Sequence, residues 1–249
     1  MYRFANPTRF MAFAERWVWI AWVVTAVLLA SALYLIVYDT PPAELHGAMV
    51  RMLFIHVPSA WMALFCYSVM AVSSLVSLIW RHPLADITAM ATAPIGAVFT
   101  ALALFTGSLW GHEAWGTWWV WSDNRMTSTF VLLLQFIGYM LLVHAFDDPG
   151  RGRRFGAYLV IAGIVNVLIV KWGVEWFNSL HQSASVDKDG SSISGEYGLQ
   201  LLLMTLACQI SFVGLVVARM RVELDRLRIQ QTAARLRRQQ LTATFQSQD

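Results

Sequence analysis

Long uninterrupted stretches of apolar residues dominate the chain, and short polar segments separate them. Six stretches can be marked, at approximately residues 17–37, 56–80, 88–109, 127–146, 155–177 and 197–218. Each holds about 20 residues, which as a helix crosses a hydrocarbon core of roughly 30 Å. A membrane β-barrel is excluded because the apolar residues are continuous and do not alternate with polar ones. The pattern therefore predicts an all-α membrane protein with a bundle of six transmembrane helices.

Composition agrees with this pattern. Apolar residues make up 57% of the 249-residue chain and charged residues only 13%. The first apolar stretch is long and lacks a small-residue cleavage site, so we expect it to be a span and not a removed signal. We divide the chain into a polar head at residues 1–16, a six-helix domain at 17–218 and a basic tail at 219–249.

The distribution of basic residues predicts the orientation of the bundle. Of the 18 Lys and Arg residues, three lie in the head, one at Arg81, three at 151–154 and seven in the tail. Basic residues flanking spans favour the cytoplasmic side. Both termini are therefore predicted to be cytoplasmic, and the connections near His56, at residues 110–126 and near His181 are predicted to face outward.

A cluster of tryptophans marks the connection between the third and fourth spans. Five fall within twelve residues, namely Trp110, Trp115, Trp118, Trp119 and Trp121. As a helix this run would place residues 115, 118 and 119 on one face, and as a strand residues 115, 119 and 121. One interpretation is an aromatic belt at the membrane surface. The other is a platform for a large, flat, apolar ligand, because each indole offers a broad π face.

Two histidines on the predicted outward side favour the second interpretation. His56 opens the second span and His181 follows the fifth. Haem suits such a site, because indoles can cover its apolar ring while neutral imidazoles ligate its iron. Its anionic propionates would need basic partners, for which Arg125, Lys171 and Arg51 are candidates.

Other chemistry has less support in the sequence. The outward connections hold no cysteine, which argues against zinc or copper, and we interpret Cys66 and Cys208 as packing residues within spans. Lys171 and Glu175 are one helical turn apart and can pair. At the end of a span such charges either reach for the interface or contribute to a ligand site.

Several stretches of the sequence resemble a known family. Residues 115–121, followed by Asp123, Arg125 and Thr127, resemble the tryptophan-rich "WWD" signature of haem-handling proteins in cytochrome c maturation. Residues 55–58, 93–99, 144–148 and 174–182 are similar to the cytochrome c maturation protein C family, also called haem exporter protein C. The resemblance covers nearly all six spans and fades in the head and tail.

The resemblance implies a bacterial inner-membrane protein that binds haem b at its periplasmic face as a substrate to be transferred. It implies that His56 and His181 are the axial ligands and that the tryptophan-rich loop is the platform. It also implies several partners: a membrane-anchored periplasmic haem chaperone, the ATPase and membrane subunits of an ABC transporter, and a small membrane helper subunit. The lipid bilayer is a further partner, and we expect no nucleic acid.

The chain departs from the family signature at one position. In the family the aspartate directly follows the last tryptophan, whereas Ser122 here separates Trp121 from Asp123. An extra residue rotates a helical position by about 100°, or moves a strand residue to the other face. The relation of Asp123 to the indoles is therefore left open by the sequence.

Three functions compete at this stage. The first is a haem-binding and haem-delivery subunit without independent catalytic activity. The second is an enzyme that joins haem to apocytochrome. Larger proteins that share the tryptophan stretch and are thought to do this have additional spans with histidines buried in the membrane, whereas this chain has no histidine in the middle of a span. The third is a haem or solute permease subunit, for which the mid-span residues Gln135, Asn166 and Gln209 are a thin basis. The chain contains no nucleotide-binding Gly-Lys motif, so it has no energy source of its own. We favour the first.

Overall fold

A computed structural model describes residues 7–44, 47–177, 179–181, 186–187, 190–191 and 195–246. Helix α1 spans Pro7–Tyr38, and a short 3₁₀ helix at Ala48–Met52 leads into α2 at Leu53–Trp80. The remaining helices are α3 (Pro83–Trp115), α4 (Asn124–Val143), α5 (Pro149–Trp176) and α6 (Gly195–Gln246). Between α5 and α6, β1 (Val186–Asp187) pairs antiparallel with β2 (Gly190–Ser191).

The prediction of six membrane-spanning helices is confirmed. Six segments of the described chain are long and apolar enough to cross a membrane: Ala14–Tyr38, Ala48–Trp80, Leu84–Trp115, Asn124–Val143, Pro149–Trp176 and Gly195–Ile229. Most helices extend beyond the predicted apolar stretches, because a helix continues until a backbone stop signal ends it. Gly116 at φ 73° and Arg81 at φ 51°, both left-handed, end α3 and α2 respectively.

The helices pack in a defined order. Helix α2 lies along α3, α4 lies along α5, and α1 packs mainly on α6. The centre of the bundle is tightly filled, with Tyr67 and Phe136 meeting edge to face at 5.3 Å between ring centroids. Cys66 is fully buried there, as expected for a packing residue. Large apolar side chains cover the outside, among them Trp19 at 74% exposure. Such a surface is suited to lipid, because the hydrocarbon core is as apolar as the side chains.

Polar side chains tie three helices together at the end of the bundle remote from His56. The Ser77 hydroxyl donates to Asp86, and Arg153 Nε lies 3.3 Å from the same carboxylate. These residues belong to α2, α3 and α5. The fifth apolar stretch of the sequence begins at residue 155, but α5 already begins at Pro149, capped by Asp148, whose Oδ1 accepts from the Gly150 amide at 2.8 Å. Arg153 is therefore helical and faces the bundle.

Candidate functional site

His56 lies in the first turn of α2 and points toward α3. Its Nδ1 lies 3.0 Å from Thr106 Oγ1. That hydroxyl lies 2.7 Å from the Leu102 carbonyl, to which it donates its single hydrogen. Thr106 Oγ1 therefore accepts from His56, so Nδ1 of the imidazole carries the hydrogen. The lone pair of His56 is then on Nε2.

The space for this imidazole is provided by a glycine on α3. A Cβ atom added to Gly107 would lie 3.0 Å from Cε1 and 3.6 Å from Nδ1 of His56. A contact of 3.0 Å between carbon atoms is shorter than their optimal separation of about 3.5–4.0 Å. Gly107 therefore permits the close approach of the His56 ring to α3.

Asp123 connects the start of α4 to the segment that follows α5. The residue is only 2% exposed. Its Oδ1 accepts from the Met126 amide at 2.9 Å, which makes it the N-cap of α4. Its Oδ2 accepts from the Ser179 hydroxyl at 2.7 Å and from the Leu180 amide at 2.9 Å. The carboxylate thus fixes the backbone immediately before His181.

The same carboxylate also holds the His181 ring. Nδ1 of His181 lies 3.1 Å from Asp123 Oδ1 and 3.5 Å from Ser179 Oγ. An ionised carboxylate only accepts hydrogen bonds, and the Ser179 hydroxyl hydrogen is directed to Asp123. Nδ1 of His181 is therefore the donor, and its lone pair, like that of His56, is on Nε2.

The protonation states of His181 and Asp123 suit the ligation of a metal by His181. Burial lowers the pKa of His181 below its ordinary value of 6.5, outweighing the Asp123 carboxylate, which raises it. Burial by itself raises the pKa of Asp123, but hydrogen bonds from two backbone amides and the Ser179 hydroxyl outweigh it, so the pKa lies below 3.8. At neutral pH the pair is a neutral imidazole beside an ionised carboxylate.

The two histidines lie near one another, and one basic residue lies near both. His56 and His181 are close enough to interact electrostatically, and Arg125 acts on each of them. Arg125 also interacts with Asp123 and Glu175.

Among the residues described, Lys171 and Glu175 do not form the ion pair that their spacing permitted, and both side chains are exposed. Arg51 donates to the Val37 carbonyl at 3.4 Å, toward α1.

Four of the five tryptophans in this run fall into three groups of ring contacts. Trp115, at the end of α3, meets His181 edge to face with ring centroids 4.9 Å apart. Trp118 is stacked with His112 at 4.2 Å, and Trp119 and Trp121 each contact the other and Phe130 at 5.3–6.0 Å. Trp110 is half-buried on α3.

Neither secondary structure considered for the whole tryptophan run is correct. Trp110 and Trp115 belong to α3, but residues 116–123 form a connection that is neither helix nor strand. The left-handed backbone at Gly116 ends α3, and the extended backbone of Asp123 begins α4. The ring of Trp115 contacts the candidate ligand His181.

Sequence reasoning missed three residues that shape the site: Thr106, Gly107 and Ser179. Thr106 and Gly107 lie within an apolar span, where threonine and glycine are common. Ser179 adjoins a segment rich in serine. The nearest signal was the resemblance at residues 174–182, which includes Ser179 but does not indicate its partner.

Fold and site together define a class of multi-pass membrane protein. At one end of its helix bundle two neighbouring histidines, each hydrogen-bonded through Nδ1 to an acceptor, lie close to several indoles. Residues 1–235 match the family model described as "Heme exporter protein C". The chain belongs to this family.

Individual relatives agree with the family match. The chain is 48% identical to "Heme exporter protein C" of Bradyrhizobium diazoefficiens over 227 residues, covering 90% of this chain and 85% of the relative. It is 42% identical to the protein of that name from Escherichia coli K12 over 170 residues, covering 66% and 69%. With the Paracoccus denitrificans protein of the same name it shares 36% identity over 238 residues, covering 94% and 98%. The predicted family is therefore confirmed.

Proposed function

We propose that this inner-membrane protein binds haem b between His56 and His181 at its periplasmic face and delivers it to a membrane-anchored haem chaperone during cytochrome c maturation. The observation that carries the proposal is the shared tautomer. Each imidazole has its Nδ1 bonded to an acceptor, which leaves Nε2 of both available. Metal-ligating histidines are held in this way by outer partners. The relatives' name, which refers to haem, agrees with it.

The surrounding side chains fit the other parts of such a ligand. Trp115, at the end of α3, meets His181 edge to face, and the exposed Trp118 and Trp121 offer apolar surface on the connection that follows α3. Arg125 acts on both histidines and would hold a propionate. Lys171 and Glu175 lie in the last turns of α5, and Glu175 interacts with Arg125. In this role the chain binds, orients and shields the haem, and no residue performs covalent catalysis.

Delivery requires partners, and the family resemblance implies which ones. An ABC transporter, with its ATPase and membrane subunits and a small helper, would drive the cycle, and the chain itself contains no nucleotide-binding Gly-Lys motif. The basic head and tail, with the positive connections, favour a cytoplasmic location for both termini. The opposite end of the bundle, with His56 and His181, would then face the periplasm and the chaperone.

The permease alternative loses its main support. Asn166 Nδ2 donates to the Ser128 carbonyl at 3.0 Å and to Gln135 Oε1 at 3.4 Å. These mid-span amides therefore join α4 to α5, which is the usual role of polar residues between transmembrane helices.

The test is the absorption spectrum of purified protein, oxidised and reduced, for His56→Ala and His181→Ala. We expect each variant to lose most of its haem and to stop loading a co-expressed chaperone. His144→Ala is the matched control, because His144 ends α4 and bonds to the Met140 carbonyl. Unchanged haem content in both ligand variants would contradict the proposal.

A further inference from the structure

The two candidate ligands are held by acceptors of different strength. His181 donates to a carboxylate, whereas His56 donates to a hydroxyl. Asp123 is buried, and its two carboxylate oxygens accept hydrogen bonds from two backbone amides and the Ser179 hydroxyl. Thr106 Oγ1 already donates to the Leu102 carbonyl. An ionic acceptor forms hydrogen bonds roughly twice as strong as a neutral one.

We infer that Asp123 and Thr106 are positioning residues that fix both histidines as Nδ1–H tautomers and make His181 the stronger of two unequal ligands. The inference rests on the proposed function. An acceptor at Nδ1 raises the basicity of the imidazole toward a metal. The Asp123 carboxylate polarises the imidazole that donates to it more than the Thr106 hydroxyl does. Electron donation to a bound iron from His181 therefore exceeds that from His56.

The surrounding structure supports separate roles for the two acceptors. Thr106 sits within α3, and its side chain contacts His56 on α2, so its effect is confined to one ligand. Asp123 binds Met126, Ser179 and Leu180 in addition to His181. It thereby fixes both the ring and the backbone of the His181 segment. Loss of the Asp123 charge should therefore weaken both the orientation of the His181 ring and its electron donation to a bound iron.

Three variants separate these effects from folding. Asp123→Asn removes the charge but keeps a residue that is an excellent N-cap for α4. Thr106→Val keeps the shape and removes the acceptor, while Thr106→Ser keeps the hydroxyl. Each purified protein is stripped of haem, titrated with hemin, and examined for hemin affinity, midpoint potential and the ferric electron paramagnetic resonance spectrum.

We expect Asp123→Asn to lower hemin affinity about 10–100-fold, the usual effect of losing an outer-shell partner. It should also raise the midpoint potential, because weaker donation favours ferrous iron. Thr106→Val should shift both quantities in the same direction by less, and Thr106→Ser should match the wild type. A purely structural role would reduce uptake without changing the potential of the hemin that binds.

Equal potentials in wild type, Asp123→Asn and Thr106→Val would overturn the inference, as would a larger shift for Thr106→Val than for Asp123→Asn. Should Asp123→Asn aggregate or take up no hemin, the Thr106 pair decides: a shift with valine and not with serine supports positioning, and equal behaviour refutes it. Failure of the proposed function is distinct, since hemin would then bind normally to His56→Ala and His181→Ala.

Discussion

Nδ1 of His181 lies 3.1 Å from Oδ1 of Asp123, the same oxygen that accepts from the Met126 amide at the start of α4. A single carboxylate therefore sets where α4 begins and how the segment after α5 presents its imidazole. The two elements are far apart in the sequence. Their connection through one buried acidic residue makes the site depend on the packing of α4 against α5.

Gly107 provides the first prediction. In Gly107→Ala the new Cβ would lie 3.0 Å from Cε1 of His56, so the ring must move by a few tenths of an ångström from its Thr106 contact. We expect hemin affinity to fall up to about tenfold, the lower end of the range for disturbed outer-shell support. The fold should persist, because alanine is favoured over glycine within a helix by about 1 kcal/mol.

Gly138→Ala is the control for this measurement by hemin titration. Its Cβ would meet Leu159 at 3.6 Å, an ordinary contact, on α4. An equal loss of affinity in both variants would attribute the effect to general disturbance of the bundle.

Acidification should release the His181 segment. The pKa of His181 is lowered in the folded protein, chiefly by burial. An exposed imidazole takes up a proton near pH 6.5, whereas the buried one does so only at lower pH. The bound arrangement is therefore fully stable above about 6.5 and loses stability as pH falls through the folded pKa. Asp123, whose pKa lies below 3.8, stays ionised through most of this range.

The measurement is hemin retention by absorption between pH 8 and pH 4.5, with tryptophan fluorescence of the haem-free protein as the check on folding. Retention should decline below about pH 6.5 while the fold is kept. Retention that is constant or rises on acidification would refute this prediction.

The close contact of α5 with Tyr67 gives a third prediction. A Cβ on Gly163 would overlap the Tyr67 hydroxyl and lie 2.8 Å from Gln135 Nε2. Gly163→Ala should therefore destabilise the bundle by about 1–3 kcal/mol, the usual cost of overpacking. The Tyr67 hydroxyl is buried without a hydrogen-bond partner in the described part of the chain. Tyr67→Phe should consequently be tolerated.

Thermal unfolding in detergent of the single variants and of Gly163→Ala/Tyr67→Phe tests this pair. The double variant should recover part of the stability lost by Gly163→Ala, because the overlapping oxygen is gone. Strictly additive effects would show that the glycine does not make room for the tyrosine.

The polar contacts of Asp86 with Ser77 and Arg153, at the end of the bundle remote from His56, should affect the stability of the fold and not haem binding. Asp86→Asn removes the charge that Ser77 and Arg153 share, leaving a half-buried guanidinium without its ionic partner. We expect a loss of about 1–3 kcal/mol with unchanged hemin affinity. Asp225→Asn is the control, since its pair with Arg228 is exposed and worth about 0–1 kcal/mol. A fall in hemin affinity for Asp86→Asn at full stability would contradict this separation.

The tryptophan connection illustrates the limit of reasoning from the sequence. Its residues predicted a platform, but both periodicities considered for it assumed one regular element, whereas residues 116–123 form neither helix nor strand. The spacing of Lys171 and Glu175 likewise permitted a pair that does not form, and Glu175 interacts with Arg125 of α4 instead. Partners in another helix decide such contacts, and periodicity within one helix does not identify them.

The sequence by itself determined the six spans, because hydrocarbon offers no hydrogen bonds and long apolar segments must bond internally as helices. It also determined which histidines and tryptophans flank those spans and to which family the chain belongs. Only the tertiary structure decided that Thr106 holds His56, that Asp123 holds His181 and caps α4, and that the indoles separate into three groups. These pairings depend on how helices approach one another, which is set by close packing across the bundle and leaves no periodic pattern along the chain.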